Sequence, residues 1–586
     1  MKKYFLLILI FFFTVLSVKS QYYLKGIVKD EKNQPVLHAN ILLYSQKKMF
    51  YSGSSSGEFG IPTNLQYDSL IISADNFETI GVKVKSDAWQ NIILKSNIID
   101  ESKNQPRLSS IVSDVNPNET YKSFADDETY FKLIENGFNI TNEHPKTGFS
   151  LNINKASYSN ARRFIKMGLP VPPDAIRTEE MVNYFNLHVR PPKPGQMFNI
   201  ESQLTSCPWN EKEQLLFLNV NAKQLDFNHI PPGNFVFLID VSGSMDMPNR
   251  LPLIKAAFQM FVKNLRNIDT VSIVTYGGFV QVWLQPTSGA EKEKIMQAIE
   301  VLDADGDTPG ESAIRLAYQI AKKTFIKGGT NRVILATDGD FNVGETSEKA
   351  LDDLISAQRN SGVYLTCLGV GMGNLKDSKL QTLAKKGNGN YAYLDDINEA
   401  ERVLVKEISQ NLYAVADDVF MNVQFNPSIV KKYRLIGFDN KKAALQINEN
   451  HLEGGEMGSG SSVLAIFEIQ PTDEKNYNKI STNDIVANLY MTYRTTTEGE
   501  LESIDYAAKN QYAAMDSIDR DYRVASAISM FGLKLKESKY FPDKDWSFIY
   551  NFSKKSIDSN NYLQREFLTL IEKAKKIYKA KKKREE

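Results

Sequence analysis

Residues 235–244 read Phe235-Val-Phe-Leu-Ile-Asp240-Val-Ser242-Gly-Ser244. An unbroken apolar run of this kind marks a strand buried on both faces, as in a parallel sheet covered by helices. At its end the chain changes character at once. One carboxylate and two hydroxyls occupy alternate positions of a short loop, and Gly243 permits the tight bend that turns them toward one centre. In open α/β sheets, ligands bind outside the carboxyl ends of the strands, which is where Asp240, Ser242 and Ser244 stand. All three offer oxygen. That donor set selects a hard cation such as Mg²⁺ over zinc, with Mn²⁺ and Ca²⁺ as the alternatives.

Outward from this loop, residues 233–412 alternate strand runs with helical stretches. Strands are expected at Phe235–Ile239, Val271–Thr275, Val280–Leu284, Val333–Ala336, Tyr364–Val370 and Tyr391–Leu394. Helices are expected at Leu253–Leu265, Glu291–Leu302, Glu311–Phe325, Glu348–Gln358, Leu380–Lys386 and Glu399–Leu412. The alternation predicts a mainly parallel sheet with helices on both faces. Two more strand ends supply oxygen: Asp338 follows the run Val333–Thr337, and Thr308 sits in Asp305-Gly-Asp-Thr308-Pro-Gly ahead of a helix. Asp-x-Ser-x-Ser, a distant Thr and a later Asp, in this order, resemble the metal-ion-dependent adhesion site of the von Willebrand factor type A (vWA) family, whose fold is α/β and Rossmann-like. The resemblance implies that Ser242, Ser244 and Thr308 are direct or near-direct metal ligands. It also implies that Asp240 and Asp338 act largely through water or as switching ligands. An ion held in that way stays electrophilic at one open coordination place, which an Asp or Glu of a partner protein fills.

The flanks are rich in β structure. Runs at Phe198–Leu204 and Leu215–Asn221 precede the α/β block, and Val419–Phe425, Tyr433–Gly437, Val463–Gln470 and Ile485–Arg494 follow it. They predict one β-sandwich with the vWA domain inserted into it. Two N-terminal stretches, Asn154–Phe164 with Arg162-Arg163 and Arg177–Phe185, resemble the vWA-associated segment of a bacterial family of such proteins. Tyr433–Gly437, Gly455–Gly460 and Asp521–Arg523 resemble its C-terminal domain. Residues 22–95 break into six short strand-like runs with turns such as Asn33–Pro35, which predicts a small β-sandwich. The pattern Gly26-x-Val28-x-Asp30…Pro35…Ala39-x-Ile41…Gly57-x-Phe59 resembles the carboxypeptidase regulatory-like domain, a stalk or interaction unit without catalytic residues. The expected organisation is a signal peptide over 1–20, this sandwich over 21–95, a polar linker over 96–120 and the vWA-associated segment over 121–195. The split sandwich occupies 196–232 and 413–500, the vWA domain lies between them at 233–412, and a helical region covers 501–586, with helical pattern from Asp505 onward.

Lys2 and Lys3 precede an apolar run from Tyr4 to Leu16 that ends near small residues. This is the pattern of a secretory signal peptide. It predicts export to the periplasm, cell envelope or cell surface, with an uncleaved signal anchor as the alternative. No later stretch is apolar enough to span a membrane. Lys plus Arg, 70, balance Asp plus Glu, 70, so no overall charge draws the chain to nucleic acid or anionic lipid. Cys207 and Cys367 form neither a redox pair nor a metal pair. The five histidines, His38, His144, His188, His229 and His451, are scattered and read as ordinary surface or core residues. Gly369-Val-Gly371-Met-Gly373 lacks the third glycine of a dinucleotide loop and reads as a turn at the rim of the metal site. Asp303-x-Asp305-x-Asp307 lacks the glycine and glutamate of an EF-hand.

These readings converge on a non-enzymatic, exported protein that binds a partner's carboxylate through a divalent metal at Asp240, Ser242, Ser244, Thr308 and Asp338. A metal-assisted hydrolase, with Asp305 or Asp307 as general base, is one alternative. A metal-independent structural scaffold of the envelope is the other.

Overall fold

The computed structural model describes residues 22–31, 33–36, 39–51, 57–74, 77–86, 88–95, 128–226, 230–306, 310–339, 355, 361–439, 455–472, 481–495, 499–542 and 544–585. The expected signal peptide, the expected linker and Thr308 lie outside them, as do Asp307 and all of the expected helix Glu348–Gln358 except Ile355. The chain divides into two units, Met1–Ser110 and Ile111–Glu586.

The first unit is a two-sheet sandwich. Its strands are β1 (Tyr22–Asp30), β2 (Asn40–Leu43), β3 (Lys48–Tyr51), β4 (Glu58–Thr63), β5 (Tyr67–Ser73), β6 (Ile80–Lys85) and β7 (Trp89–Leu94). They pair in the orders β4-β1-β7 and β3-β2-β5-β6. Burial alternates along β4 and β5, the period-two signature of a strand with one face on a core. Leu24, Val28, Ile41, Phe59, Ile61, Leu70 and Ile72 make that core.

The second unit opens with β8 (Asn139–Ile140), β9 (Lys146–Ser150), α1 (Ala156–Lys166), α2 (Thr178–Asn183), β10 (Phe198–Ser206) and β11 (Gln214–Ala222). The α/β block follows: β12 (Gly233–Asp240), α3 (Leu251–Lys263), β13 (Thr270–Gly277), β14 (Phe279–Ser288), α4 (Lys292–Glu300), α5 (Gly310–Lys323), β15 (Thr330–Thr337), β16 (Val363–Gly369), α6 (Asp377–Lys386), β17 (Tyr391–Tyr393), α7 (Ile397–Glu401) and α8 (Ile408–Leu412). Its sheet has the order β14-β13-β12-β15-β16-β17. Every pairing is parallel except β13 with β14. The apolar run on β12 is buried throughout because the sheet is covered on both faces. Phe235, Phe237 and Ile239 pack with α3 and α4 on one side. Val236 and Leu238 pack with α5 and α6 on the other.

After this block come β18 (Ala414–Phe425), β19 (Val430–Leu435), β20 (Gly455–Gly458), β21 (Ser462–Pro471), β22 (Ile485–Arg494), β23 (Leu501–Lys509), β24 (Tyr512–Ala513), α9 (Arg520–Leu535), α10 (Trp546–Ser556) and α11 (Tyr562–Glu585). Strand β11 pairs antiparallel with β21, from beyond the inserted domain, in a sheet of order β24-β10-β11-β21-β19-β8. A second sheet of order β20-β18-β22-β23, with β9 on β18, packs against it. The two faces of β11 serve two cores. Leu216, Leu218 and Val220 face the sandwich interior, while Leu215 and Phe217 face a helical layer containing residues of α1, α2, α9, α10 and α11. The α/β block is therefore inserted in a β-sandwich that is backed by helices from both ends of the second unit.

Three expectations need correction. Residues 501–509 and 512–513, placed in the expected helical region, are strands β23 and β24: β23 is an edge strand with mostly exposed side chains, so its apolar alternation is too weak to mark it. The expected helix Glu399–Leu412 is interrupted by a π-helical turn at Arg402–Lys406, where Glu407 N–H bonds Arg402 O and Arg402 pairs with buried Glu399 and Glu407. The segment 121–195 adds strands β8 and β9 to the two sheets besides its helices. Cys207 and Cys367 are buried free thiols in different cores. Among the described residues, no helix is long and apolar enough to cross a membrane.

Candidate metal-binding site

Asp240 is the last residue of β12, and Asp338 follows the last residue of the neighbouring strand β15. Ile239 pairs with Ala336 across these strands, so the register carries both carboxylates to the same sheet edge. Both are fully buried. Between them lie the serines of the loop that leaves β12. Asp240 Oδ1 accepts from Ser242 N–H at 3.0 Å and from Ser242 Oγ at 2.6 Å. Ser244 Oγ donates to Asp338 Oδ2 at 2.7 Å. The two serine oxygens stand 3.2 Å apart. Each hydroxyl carries one proton, and the short bonds commit both protons to the flanking carboxylates. The serine oxygens thus turn lone pairs toward each other, an arrangement that a cation satisfies. Every donor is oxygen, so the residues present fit a hard divalent ion.

Burial pushes the Asp240 carboxyl up to about 6. The Ser242 hydrogen bonds and the one from Thr337 Oγ1 to Oδ2, at 2.8 Å, pull the other way, while the Asp338 charge adds to the rise. A nearby positive charge favours the ionised form.

Thr308 lies outside the described residues, but the chain just before it reaches the site. Asp305 N–H donates to Val241 O at 2.7 Å, and Gly243 N–H donates to Gly306 O at 3.1 Å. This close approach requires glycine on both sides: a Cβ on Gly306 would come within 2.5 Å of Gly278 Cα, and one on Gly277 within 2.5 Å of the Val241 carbonyl carbon.

Sequence reasoning missed Arg250, Thr337 and Asn374. Arg250, buried just before α3, donates from Nη1 to Asp338 Oδ2 at 2.7 Å and to Ser244 O at 2.6 Å. Its Nη2 donates to Met372 O at 2.9 Å and to Asn374 Oδ1 at 2.8 Å. Asn374 Nδ2 completes the ring by donating to Asp338 Oδ2 at 3.0 Å. The glycine-rich turn after β16 is therefore at the rim of the site and firmly held. It is gripped from its far side too: Glu128 Oε1 accepts from Gly373 N–H at 2.8 Å, and Arg163 pairs with Glu128 while donating to Gly371 O at 3.3 Å.

Comparison with known families matches residues 124–217 to the von Willebrand factor family and residues 235–340 to the von Willebrand factor type A domain. Residues 410–577 match the C-terminal domain of the uncharacterized protein YfbK. The chain is 36% identical over 470 residues to uncharacterized protein YfbK of Escherichia coli strain K12, covering 76% of this chain and 80% of that protein. It is 28% identical over 246 residues to the magnesium-chelatase 67 kDa subunit of Chlorobaculum parvum, covering 37% of this chain and 39% of that subunit. Among solved structures, a von Willebrand factor type A protein from Catenulispora acidiphila aligns with a TM-score of 0.38 at 14% identity, covering 62% of this chain and 88% of that one.

Proposed function

The chain belongs to the family of the Escherichia coli protein YfbK, and on that footing we propose that it is a binding protein of the cell envelope that takes a partner protein's Asp or Glu at a divalent metal, Mg²⁺ foremost. The single observation that carries this reading is the Ser242–Ser244 pair, whose protons are committed to Asp240 and Asp338 and whose lone pairs converge at 3.2 Å. Ser242 and Ser244 would hold the ion, Thr308 would join them on the strength of the sequence pattern, and Asp240 and Asp338 would set the geometry of the hydroxyls. The bound cation supplies one coordination place for a carboxylate oxygen. The chain's own charges favour that use. Asp240 and Asp338 against Arg250 leave about one negative charge, so a divalent ion retains net positive charge toward a partner. Beside the site, Phe279 is 81% exposed next to the Gly277-Gly278 turn, an apolar contact for a residue flanking the partner's carboxylate.

Location outside the cytoplasm rests on the sequence of residues 1–20. The hydrolase alternative needs a positioned base, and the side chain of Asp305 is exposed to solvent; no specific observation favours it.

The test is a pull-down from envelope extract with Mg²⁺, with EDTA, and with Asp240→Ala, alongside calorimetric Mg²⁺ titration of the same proteins. The expected result is partner capture and Mg²⁺ binding that EDTA and the substitution both abolish, with the fold retained by circular dichroism. Capture that survives in the Asp240→Ala protein in the presence of Mg²⁺ would rule the reading out.

A further inference from the structure

We propose that His188, Asp519 and Asp521 form a second metal site, suited to a borderline divalent cation such as Zn²⁺ and different in donor chemistry from the all-oxygen centre at Asp240. Each side chain presents one ligand atom, and these atoms lie within 4.8 Å of one another. His188 comes from the loop between α2 and β10; the two aspartates open α9. Carboxylates at a helix start would alone mean only a cap, and Asp519 does cap α9, accepting from Asp521 N–H at 3.0 Å.

The independent observation is the imidazole. His188 is 7% exposed, and its Nε2 lies 2.7 Å from Glu201 Oε2. A carboxylate can only accept, so this contact places a proton on Nε2. Nδ1 is buried without a hydrogen-bond partner and lies 3.5 Å from Asp519 Oδ2. The Nδ1 edge of the ring thus faces a carboxylate oxygen across a gap that a shared cation would bridge. A carboxylate behind the imidazole is the usual device for fixing the tautomer of a metal-binding histidine.

The ring is held for the purpose. His188 N–H donates to Asp521 Oδ2 at 2.9 Å, and Asn219 Nδ2 donates to His188 O at 2.6 Å. The Tyr522 ring covers the imidazole with centroids 4.4 Å apart. Charge agrees. Glu201, Asp519 and Asp521 face Arg190, whose Nη2 lies 3.0 Å from Asp519 Oδ2. The balance of about two negative charges matches one divalent ion and outweighs the roughly +0.5 charge of a helix N-terminus. One nitrogen with carboxylate oxygens, completed by water, is a zinc-type donor set, whereas Mg²⁺ demands oxygen alone. A metal here would staple the α2–β10 loop to α9 and so join the two ends of the second unit.

The test titrates Zn²⁺ into the purified full-length chain under excess Mg²⁺, using Asp240→Ala to remove the first centre. The expected result is one Zn²⁺ bound by the Asp240→Ala protein. Adding His188→Gln or Asp519→Asn to it should weaken binding at least 100-fold, and adding Glu201→Gln about tenfold. Cobalt substituted for zinc should give an absorption spectrum of mixed nitrogen and oxygen ligation that His188→Gln removes. Should one ligand variant fail to fold, the other carries the comparison. The proposal is overturned if Asp240→Ala binds no stoichiometric Zn²⁺, in which case protons alone bridge the imidazole and its carboxylates. It is equally overturned if the His188→Gln and Asp519→Asn versions bind Zn²⁺ as tightly as their parent.

Discussion

Arg250 decides how the site behaves without metal. Its guanidinium and the Asp338 carboxylate form a pair with side chains 5% and 0% exposed, and removing one member of such a pair typically costs about 3–5 kcal/mol because the other is left buried and uncompensated. Arg250→Met should therefore lower the melting temperature strongly in EDTA. A cation held beside the same carboxylate replaces part of the lost charge, so saturating Mg²⁺ should raise the melting temperature more in Arg250→Met than in the natural chain. Equal Mg²⁺ shifts in both proteins, measured by scanning calorimetry, would break the link between Arg250 and the ion. The residues the sequence could mark were those whose type changes at a strand end: Asp240, Ser242, Ser244 and Asp338 stand out because polar groups interrupt apolar runs. Arg250 and Asn374 gave no such signal. Each sits in a polar loop where any charged or amide residue would read as solvated, and its meaning comes from partners 88 and 36 positions away.

Among elements, the junction of α2, the turn after β19 and α9 carries the clearest dependence on pH. Burial and the neighbouring charges of Asp439 and Glu180 push Glu179 on α2 from the usual 4.5 up to about 7, and Lys536, which caps the C-terminus of α9, pairs with Asp439. The folded state then keeps a proton that the unfolded chain has already released. Glu179 contributes its stability fully below pH 4.5, and that contribution is lost as pH rises toward 7, amounting at most to about 3 kcal/mol. Glu179→Gln keeps the neutral shape, so urea unfolding should find it more stable than the natural chain at pH 8, with little difference at pH 4.5. A natural chain that gains stability between pH 5 and 7 relative to Glu179→Gln would contradict this. The same scale explains which elements were legible. Strands β12, β13, β15 and β16 were visible because burial on both faces demands continuous apolar runs. Strands β9 and β23 were not. They are a short strand and an exposed edge strand whose hydrogen bonds to β18 and β22, rather than their side chains, hold them in place.

At the scale of the whole second unit, the question is whether the inserted vWA domain melts with its host sandwich. Arg332 of β15 answers it. Its Nη2 lies 2.8 Å from both oxygens of Glu456 on β20, and its Nη1 donates to Thr366 at 2.9 Å. The side chains of Arg332 and Glu456 are 1% and 3% exposed, so the guanidinium of one domain is neutralised by a carboxylate inside the other. If one domain opened alone, its own ion would pass into water, but the ion left in the folded partner would lose its counter-charge at a buried position, a cost of several kcal/mol. Unfolding of the second unit should accordingly be a single transition, reported at one denaturant midpoint by Trp209 in the sandwich layer and Trp283 in the vWA domain. Arg332→Met or Glu456→Met alone should lower stability by about 3–5 kcal/mol. The double substitution should recover most of that loss, because no buried charge is left unpaired and the volume is filled by apolar atoms. Recovery of stability need not mean recovery of coupling. If the ion pair is what makes the two domains unfold together, the double variant should be stable and yet show the tryptophan midpoints drifting apart. If the shared apolar contacts suffice, the midpoints stay together, and the double-mutant cycle then assigns the pair to stability alone.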